Sequence, residues 1–328
     1  MSKMSRARCL EDVSEQANSN YQRREVAIVT RMAFLGLGVM GSAMAANLAK
    51  TGATVTGWNR TADRPSVAVA AAAGVEIAPT VAAAVESADL IFSCLGDVPD
   101  VEQVLLGEAA ASAPAGSLFV DFTTIGSVGA IAIGQALRSR GFEFLDAPVS
   151  GGDSGAQQGT LTIMVGGELA AFDRALPWLQ VMGNTIRHCG PIGSGQAVKL
   201  CNQVLAAGHM LALCEALQLA EAQQLDPQLV IDVCSTGAAG SWALAHLGPK
   251  ILANDLAPGF AIAHMQKDLR LVAEALGDRS LPLTALADRV FRAVAALDGA
   301  TGASQGTQAA SRAYRDNDPE TILCNLQP

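Results

Sequence analysis

The sequence predicts an α/β domain with a doubly wound parallel sheet, followed by an all-α domain, the two joined by a long shared helix. Three observations predict it. A glycine motif, Gly36-Leu37-Gly38-Val39-Met40-Gly41, stands between an apolar strand and a helix. Short apolar strands then alternate with helical stretches as far as His188, and beyond the helical run from Gln196 to Leu225 no strand pattern returns. Repeated βα units close on a parallel sheet with helices on both faces and ligands at the carboxyl ends of the strands, the Rossmann-type arrangement.

Each element follows from its local text. Ala33 to Leu35 is a strand, Ser42 to Lys50 a helix ended by Gly52, and Val55 to Trp58 a second strand, which completes a βαβ unit. Strands follow at Val75 to Ile77, Leu90 to Cys94, Leu118 to Asp121 and Phe142 to Leu145, with helices at Val81 to Val85, Val101 to Leu106 and Ser127 to Arg140 between them. Leu161 to Val165 and Thr185 to His188 are the last strands and flank a helix from Leu169 to Met182. The domains therefore divide as 32–193 for the sheet domain, 194–225 for the linking helix and 226–328 for the helical domain, with helices around Gln228 to Cys234, Trp242 to Leu247, His264 to Leu276 and Leu283 to Ala296. Residues 1–31 are polar, carry Glu11, Asp12 and Glu15 without an apolar h-region, and read as a disordered extension rather than a signal peptide.

Composition narrows the function. With 328 residues, half of them hydrophobic, the chain can bury two cores, yet aromatics are only 4%, so close helix packing must fill the interior. The net charge of -9 argues against nucleic acid as a partner. No uninterrupted run of 18 apolar residues suggests a membrane span. The seven cysteines lack metal spacing and read as reduced thiols of a cytoplasmic protein, and no metal site is expected.

The glycines have separate tasks. Gly36 permits the turn, Gly38 lets backbone approach a pyrophosphate, and Gly41 lets the helix pack close to the strand, so the turn with Leu37, Val39 and Met40 is expected to hold a dinucleotide at the helix N-terminus. Where an NAD site ends its second strand in a carboxylate, this chain has Asn59-Arg60-Thr61. Arg60 can pair with a 2'-phosphate and Asn59 and Thr61 can donate hydrogen bonds, which predicts NADP in preference to NAD; the other reading of Arg60 is an exposed turn residue. Leu95, Gly96, Thr123 and Ser150 end strands and are expected to face the cofactor crevice. Ser150-Gly151-Gly152 can form a backbone nest for a carboxylate, or be a flexible surface loop.

The linking helix is apolar on nearly every face from Val198 to Leu219, which predicts burial all round. Only Lys199, Asn202 and Gln203 break the pattern, at i, i+3 and i+4 and hence on one side. A lysine near a helix start is usually a solvated surface residue, but it opposes the helix dipole, which marks Lys199 as a candidate functional group. Trp242, after a Gly-Ala turn, is either core or a wall of the substrate pocket. His188, His209, His246 and His264 read as structural.

Four blocks, FLGLGVMGSAMAANLAKTG, DAPVSGGDSGAQQGTLTIMVGG, GSGQAVKLCNQ and HMQKDLRL, run in order from Phe34 to Leu271. Together they resemble the β-hydroxyacid dehydrogenases, the group containing 3-hydroxyisobutyrate dehydrogenase, tartronate semialdehyde reductase and the glyoxylate/succinic semialdehyde reductases. The resemblance implies Lys199 as the catalytic lysine with Asn202 beside it. It implies Ser150, Gly151 and Gly152 as the substrate-carboxylate loop and Thr123 beside the nicotinamide. It further implies Lys267 and Phe260 as cofactor contacts, with Asp268 a structural neighbour of Lys267. Many members read KLxNN where this chain has Asn202-Gln203, so Gln203 is expected to alter the pocket.

The implied reaction is hydride transfer between NADP(H) and a short 3-hydroxy acid, semialdehyde or glyoxylate-type substrate, with Lys199 as general acid or base. Helix-terminal placement is expected to lower its pKa. The implied partner is a small carboxylate-bearing substrate, and relatives imply a homodimer or homotetramer. An imine reductase-like enzyme and a non-catalytic cofactor-binding scaffold are the rival readings; the scaffold would be expected to lose the lysine, which is present.

Overall fold

The computed structural model describes residues 30–315. The extension expected over 1–31 lies outside these residues except for Thr30 and Arg31, and Arg31 already opens the first strand. Cys9 and Cys324 also lie outside them.

Among the described residues nine strands form one sheet in the order β3-β2-β1-β4-β5-β6-β8-β7, with β9 paired to β8. They are β1 Arg31–Leu35, β2 Thr54–Trp58, β3 Glu76–Ile77, β4 Leu90–Ser93, β5 Leu118–Asp121, β6 Glu143–Asp146, β7 Val149–Ser150, β8 Leu161–Gly166 and β9 Gly183–Gly190. Pairing is parallel from β3 through β6, as expected, but β8 runs antiparallel to both β6 and β7. Strands β6 and β7 thus run in the same direction across the Ala147-Pro148 step, and the chain reverses between β7 and β8, where the short helix Gly152–Gln158 ends at Gly159 in a left-handed turn (φ +68°) that leads straight back into β8 between them.

Helices α1 Val39–Ala49, α2 Pro65–Ala72, α3 Val81–Val85, α4 Val98–Val104, α5 Gly126–Arg138, α6 Gly152–Gln158 and α7 Leu169–Met182 cover the sheet. Helix α2 has no counterpart among the expected elements, and α4 continues through a π-turn at Leu105–Ala109. Along β1 the side chains alternate: Met32 and Phe34 join the core with Met44 and Leu48, whereas Ala33 and Leu35 join the core with Val81 and Val85. Both faces being covered, the strand reads as a continuous apolar run. Phe34, Phe92 and Phe122 stack with centroids 5.8 to 6.2 Å apart.

The long helix is α8, Ser194–Ala222, and the C-terminal domain is completed by α9 Pro227–Ser235, α10 Trp242–Leu252, α11 Ile262–Leu276 and α12 Pro282–Ala295. Met210, Leu211, Cys214 and Leu217 of α8 form its core with Ile251, Met265, Leu269 and Phe291. Small residues permit the close packing that the scarcity of aromatics demands: a Cβ at Gly208 would stand 2.9 Å from the Leu283 side chain.

Burial of α8 all round is not what the structure shows. Val198, Leu205 and Leu219 are exposed, Leu205 by 60%, while Lys199 and Gln203 are only 5% and 3% exposed. The two polar residues lie against α11 and the strand ends, so the opposite, apolar side is left outward. By length and mean hydropathy α8 would also pass for a membrane-crossing helix, but half of its most apolar window is buried within the protein.

Candidate active site

Strand β1 ends in the glycine turn, and the backbone explains each glycine. Gly36 has φ +96°, and a Cβ there would collide with the Cys94 carbonyl; one at Gly41 would collide with the carbonyl of Gly36. Gly38, by contrast, is open: the nearest atom to its Cβ position is Arg64 Nη1 at 3.8 Å. Helix α1 begins there without a side-chain cap, so its free N–H groups can receive an anion. This cradle fits a dinucleotide pyrophosphate.

The residues ending β2 are arranged differently from expectation. Asn59 turns inward, its Oδ1 accepting from Leu37 N at 2.9 Å and its Nδ2 donating to the Thr61 carbonyl at 2.8 Å, so it braces the glycine turn. Arg60 is 75% exposed and pairs with Asp100 at 2.7 Å, across from the loop after β4. Arg64, which the sequence reading passed over, is the arginine beside Gly38.

At the neighbouring strand ends a buried polar network holds the crevice. Asp121 Oδ1 accepts from Ser93 Oγ (2.7 Å), Thr123 Oγ1 (2.7 Å) and Thr123 N (3.2 Å), while Thr123 Oγ1 itself accepts from Leu95 N at 2.9 Å. Its Oδ2 has no hydrogen-bond partner, and burial pushes the Asp121 carboxyl up to about 6 against the pull of those hydrogen bonds. Gln196, in the first turn of α8, accepts from Ile125 N and Gly126 N and donates to the Thr123 carbonyl at 2.8 Å. Asp146, at the end of β6, accepts from Gly193 N at 2.7 Å and Gln196 N at 2.9 Å, and so caps α8 from another element. Sequence reading missed Asp121, Asp146 and Gln196. The available signal was two apolar strands that each close on an aspartate.

This network seats the first turns of α8, and with them the buried Lys199, against the strand ends. Lys199 Nζ donates to Gln203 Oε1 at 3.0 Å and stands 5.9 Å from the centroid of the Phe260 ring. Burial lowers its pKa to about 8, with Lys267 acting in the same direction and Asp268 opposing. Burial rather than the helix terminus is thus the leading cause. Gln203 Oε1 also accepts from Asn202 Nδ2 at 2.8 Å, and Gln203 Nε2 donates to Asp268 Oδ2 at 2.6 Å. Ser150 Oγ reaches Asn202 Oδ1 at 3.5 Å, which joins the glycine loop to the same cluster.

Gly151 and Gly152 adopt φ +137° and +66°, the first capping α6 and the second opening it, so this stretch is the start of a helix rather than a loose loop. Gly152 also lies close under the carbonyl of Gly259, in the loop leading to Phe260. Lys267 Nζ donates to the carbonyls of Thr124 (2.8 Å) and Gly96 (3.2 Å), tying α11 to the crevice loops. Trp242 is placed apart: it is 60% exposed and stacks on His246 at 4.6 Å. Among the described residues no group of three His, Cys, Asp or Glu could hold a metal. The cluster as a whole can exchange a proton, hold a carboxylate and face a flat ring laid along the strand ends.

Comparison with known proteins gives this arrangement relatives. Residues 31–190 match the family model of the NAD binding domain of 6-phosphogluconate dehydrogenase. Residues 193–314 match that of the NAD-binding region of NADP-dependent 3-hydroxyisobutyrate dehydrogenase. An uncharacterised oxidoreductase of Synechocystis is 51% identical over 88% of this chain and 99% of its own length. The 2-hydroxy-3-oxopropionate reductase of Escherichia coli is 38% identical over 82% of this chain and 92% of its own. Among solved structures, Mycobacterium tuberculosis 3-hydroxyisobutyrate dehydrogenase with L-serine superposes with a TM-score of 0.79 at 35% identity, covering 87% of this chain and 99% of that one. A Streptomyces aurantiacus imine reductase, at 22% identity and a TM-score of 0.57 over 87% and 99% of the two chains, shares the fold alone.

Proposed function

The chain belongs to the β-hydroxyacid dehydrogenase family, and from that premise we propose that it reduces a short semialdehyde or glyoxylate-type acid, or oxidises the matching hydroxy acid, with NADP(H). The family acts on the CH–OH groups of small hydroxy acids and binds a nicotinamide cofactor. The narrower reading rests on one observation above all: Lys199 is a buried amine, lowered to about 8, that donates to Gln203 in a cluster which Asn202 joins to Ser150 of the glycine loop.

The bound nicotinamide supplies the hydride donor or acceptor. The Gly36 to Gly41 turn and the α1 N-terminus would hold its pyrophosphate, and Leu95, Gly96 and Thr123, at the strand ends, would hold the nicotinamide end. Arg60 would recognise the 2'-phosphate in exchange for Asp100, while Arg64 stands beside Gly38 of the glycine turn. Ser150 and the backbone N–H groups at Gly151 and Gly152 take the substrate carboxylate. Lys199, as ammonium, donates its proton to the carbonyl oxygen as negative charge develops there; in oxidation the neutral amine takes that proton from the hydroxyl. Asn202 orients the substrate between Ser150 and Lys199, and Phe260 shields the amine from water. Lys267 holds the crevice loops through Gly96 and Thr124, which makes its cofactor role one of shaping the crevice.

The exposed apolar side of α8, with Val198, Leu205 and Leu219, supports a homo-oligomer formed through the helical domain, to be checked by sedimentation. Small carboxylate-bearing substrates of the kind its relatives are named for support the cytoplasm as its place of action. The function is tested by following NADPH and NADH oxidation with glyoxylate, succinic semialdehyde and a cyclic imine. Turnover of the two carbonyl acids is expected; turnover of the imine alone overturns the reading.

A further inference from the structure

Gln203 is buried, and its neighbours define which way its amide points. Two donors, Lys199 Nζ at 3.0 Å and Asn202 Nδ2 at 2.8 Å, converge on Oε1, and a carboxylate oxygen, Asp268 Oδ2, receives Nε2 at 2.6 Å. The reverse orientation would set an NH2 group against an ammonium and a second amide NH2, and an amide oxygen against a carboxylate, three mismatches in a buried site. Asp268 therefore dictates the polarity of Gln203, although it makes no hydrogen bond to Lys199. Both Gln203 and Asp268 are buried, so water cannot substitute for either partner.

Asp268 belongs to a helix that reaches the cofactor loops as well. Its neighbour Lys267 binds the carbonyls of Gly96 and Thr124, and Arg270 pairs with Asp97 at 2.6 Å, so α11 is fixed to the loop after β4 at two points. The charged groups acting on the Lys199 amine, Asp268 and Lys267, both come from α11; from the other sides the amine meets Gln203 of its own helix and the Phe260 ring.

We infer that Asp268 is a positioning residue which, through the amide of Gln203, aims the Lys199 amine at the reacting oxygen and keeps Asn202 turned toward Ser150. This rests on the assignment of Lys199 as the proton donor. The two residues act as one unit, so removing either releases the amine to other rotamers, and removing the second adds nothing.

The test is a cycle of Asp268→Leu, which removes the acceptor as well as the charge, Gln203→Leu and the double variant in the full-length protein, beside Lys199→Ala. The measured quantities are the reductive kcat with glyoxylate across pH, and NADPH binding by fluorescence. Each single variant is expected to lose between about 10- and 100-fold in kcat, as misplacement of one reacting group does, while NADPH affinity stays within about twofold. The double variant should lose no more than Gln203→Leu alone. Loss of the carboxylate, which favours the ammonium, should also move the alkaline midpoint of kcat to lower pH. Losses that multiply in the double variant, or a wild-type kcat and midpoint in Asp268→Leu, overturn the inference. If Asp268→Leu does not fold, Asp268→Glu decides, since it keeps the charge and displaces the acceptor: a kcat lowered by about 10-fold or more supports the inference and a wild-type kcat overturns it. Undiminished kcat in Lys199→Ala would instead remove the Lys199 assignment itself.

Discussion

The carboxylate of Asp146, at the end of β6, accepts the backbone N–H of Gln196 at 2.9 Å and thereby seats the first turn of α8 on the sheet. The same carboxylate takes Gly193 N, and no side chain of the helix itself caps this end. A buried acceptor on the positive end of a helix satisfies groups that water cannot reach. Three residues on, Lys199 inherits its position from this seat. Asp146→Ala should therefore cost about 1–3 kcal/mol for each N–H left bare, read as a fall in the urea midpoint, and should lower kcat in the folded fraction. An unchanged midpoint would show that α8 is seated by packing alone.

Proton transfer through Lys199 has a defined pH signature. Its pKa is lowered to about 8 by burial. Reduction uses the ammonium, so reductive kcat should hold below that value and fall as pH rises through it; oxidation uses the free amine and should rise across the same interval. Lys199→Ala should lose both directions by about 10²- to 10⁴-fold, the usual contribution of a general acid or base, with NADPH binding retained. A reductive profile flat between pH 7 and 9, with chemistry limiting, would contradict the assignment.

What could be read from the residue string, and what could not, divides by the range of the interaction. The glycine turn is legible because each glycine answers a constraint within a few residues, the collisions at Gly36 and Gly41 being local. Lys199, Asn202 and Gln203 are legible because one helix turn places them on one side, and the structure joins all three. Asp146 and Gln196 serve backbone groups about 50 and 70 residues away, and nothing in the local text marks which buried N–H a side chain will meet. Burial of α8 all round was misjudged for a related reason: periodicity reports an apolar surface, not whether a second element covers it. Asp268, taken as a neighbour of Lys267, shows its own contact only once α11 lies beside α8.

Arg60 predicts cofactor choice through its present partner. Asp100 competes with a 2'-phosphate for the same guanidinium. Arg60→Ala should lower kcat/KM for NADPH roughly 10- to 100-fold, the worth of one hydrogen-bonded charge contact, and leave NADH nearly unchanged. Asp100→Asn should act the other way and raise the NADPH to NADH ratio, since the arginine is released. The ion pair is exposed and so contributes little to stability, which keeps both variants foldable. Equal effects on the two cofactors would place the 2'-phosphate elsewhere.

Asp121 predicts how stability itself depends on pH. Its carboxyl titrates at about 6 in the folded protein against an ordinary 3.8, because burial outweighs the three hydrogen bonds on Oδ1. Below about pH 4 both folded and unfolded chains hold the proton and the group contributes nothing to the difference. Between about 4 and 6 the unfolded chain releases it while the folded chain keeps it, so stability falls as pH rises; above that both are ionised and the loss levels off. The full difference is roughly 3 kcal/mol. Asp121→Asn preserves the acceptor that faces Thr123 and Ser93 but sets an unpaired NH2 where Oδ2 has no partner, a cost that does not vary with pH. Urea unfolding at pH 4.5 and pH 7 should show the wild-type protein losing more stability across that interval than the variant, by up to that amount. An identical change in the two proteins would mean that Asp121 is ionised throughout and that the crevice pays its desolvation at every pH.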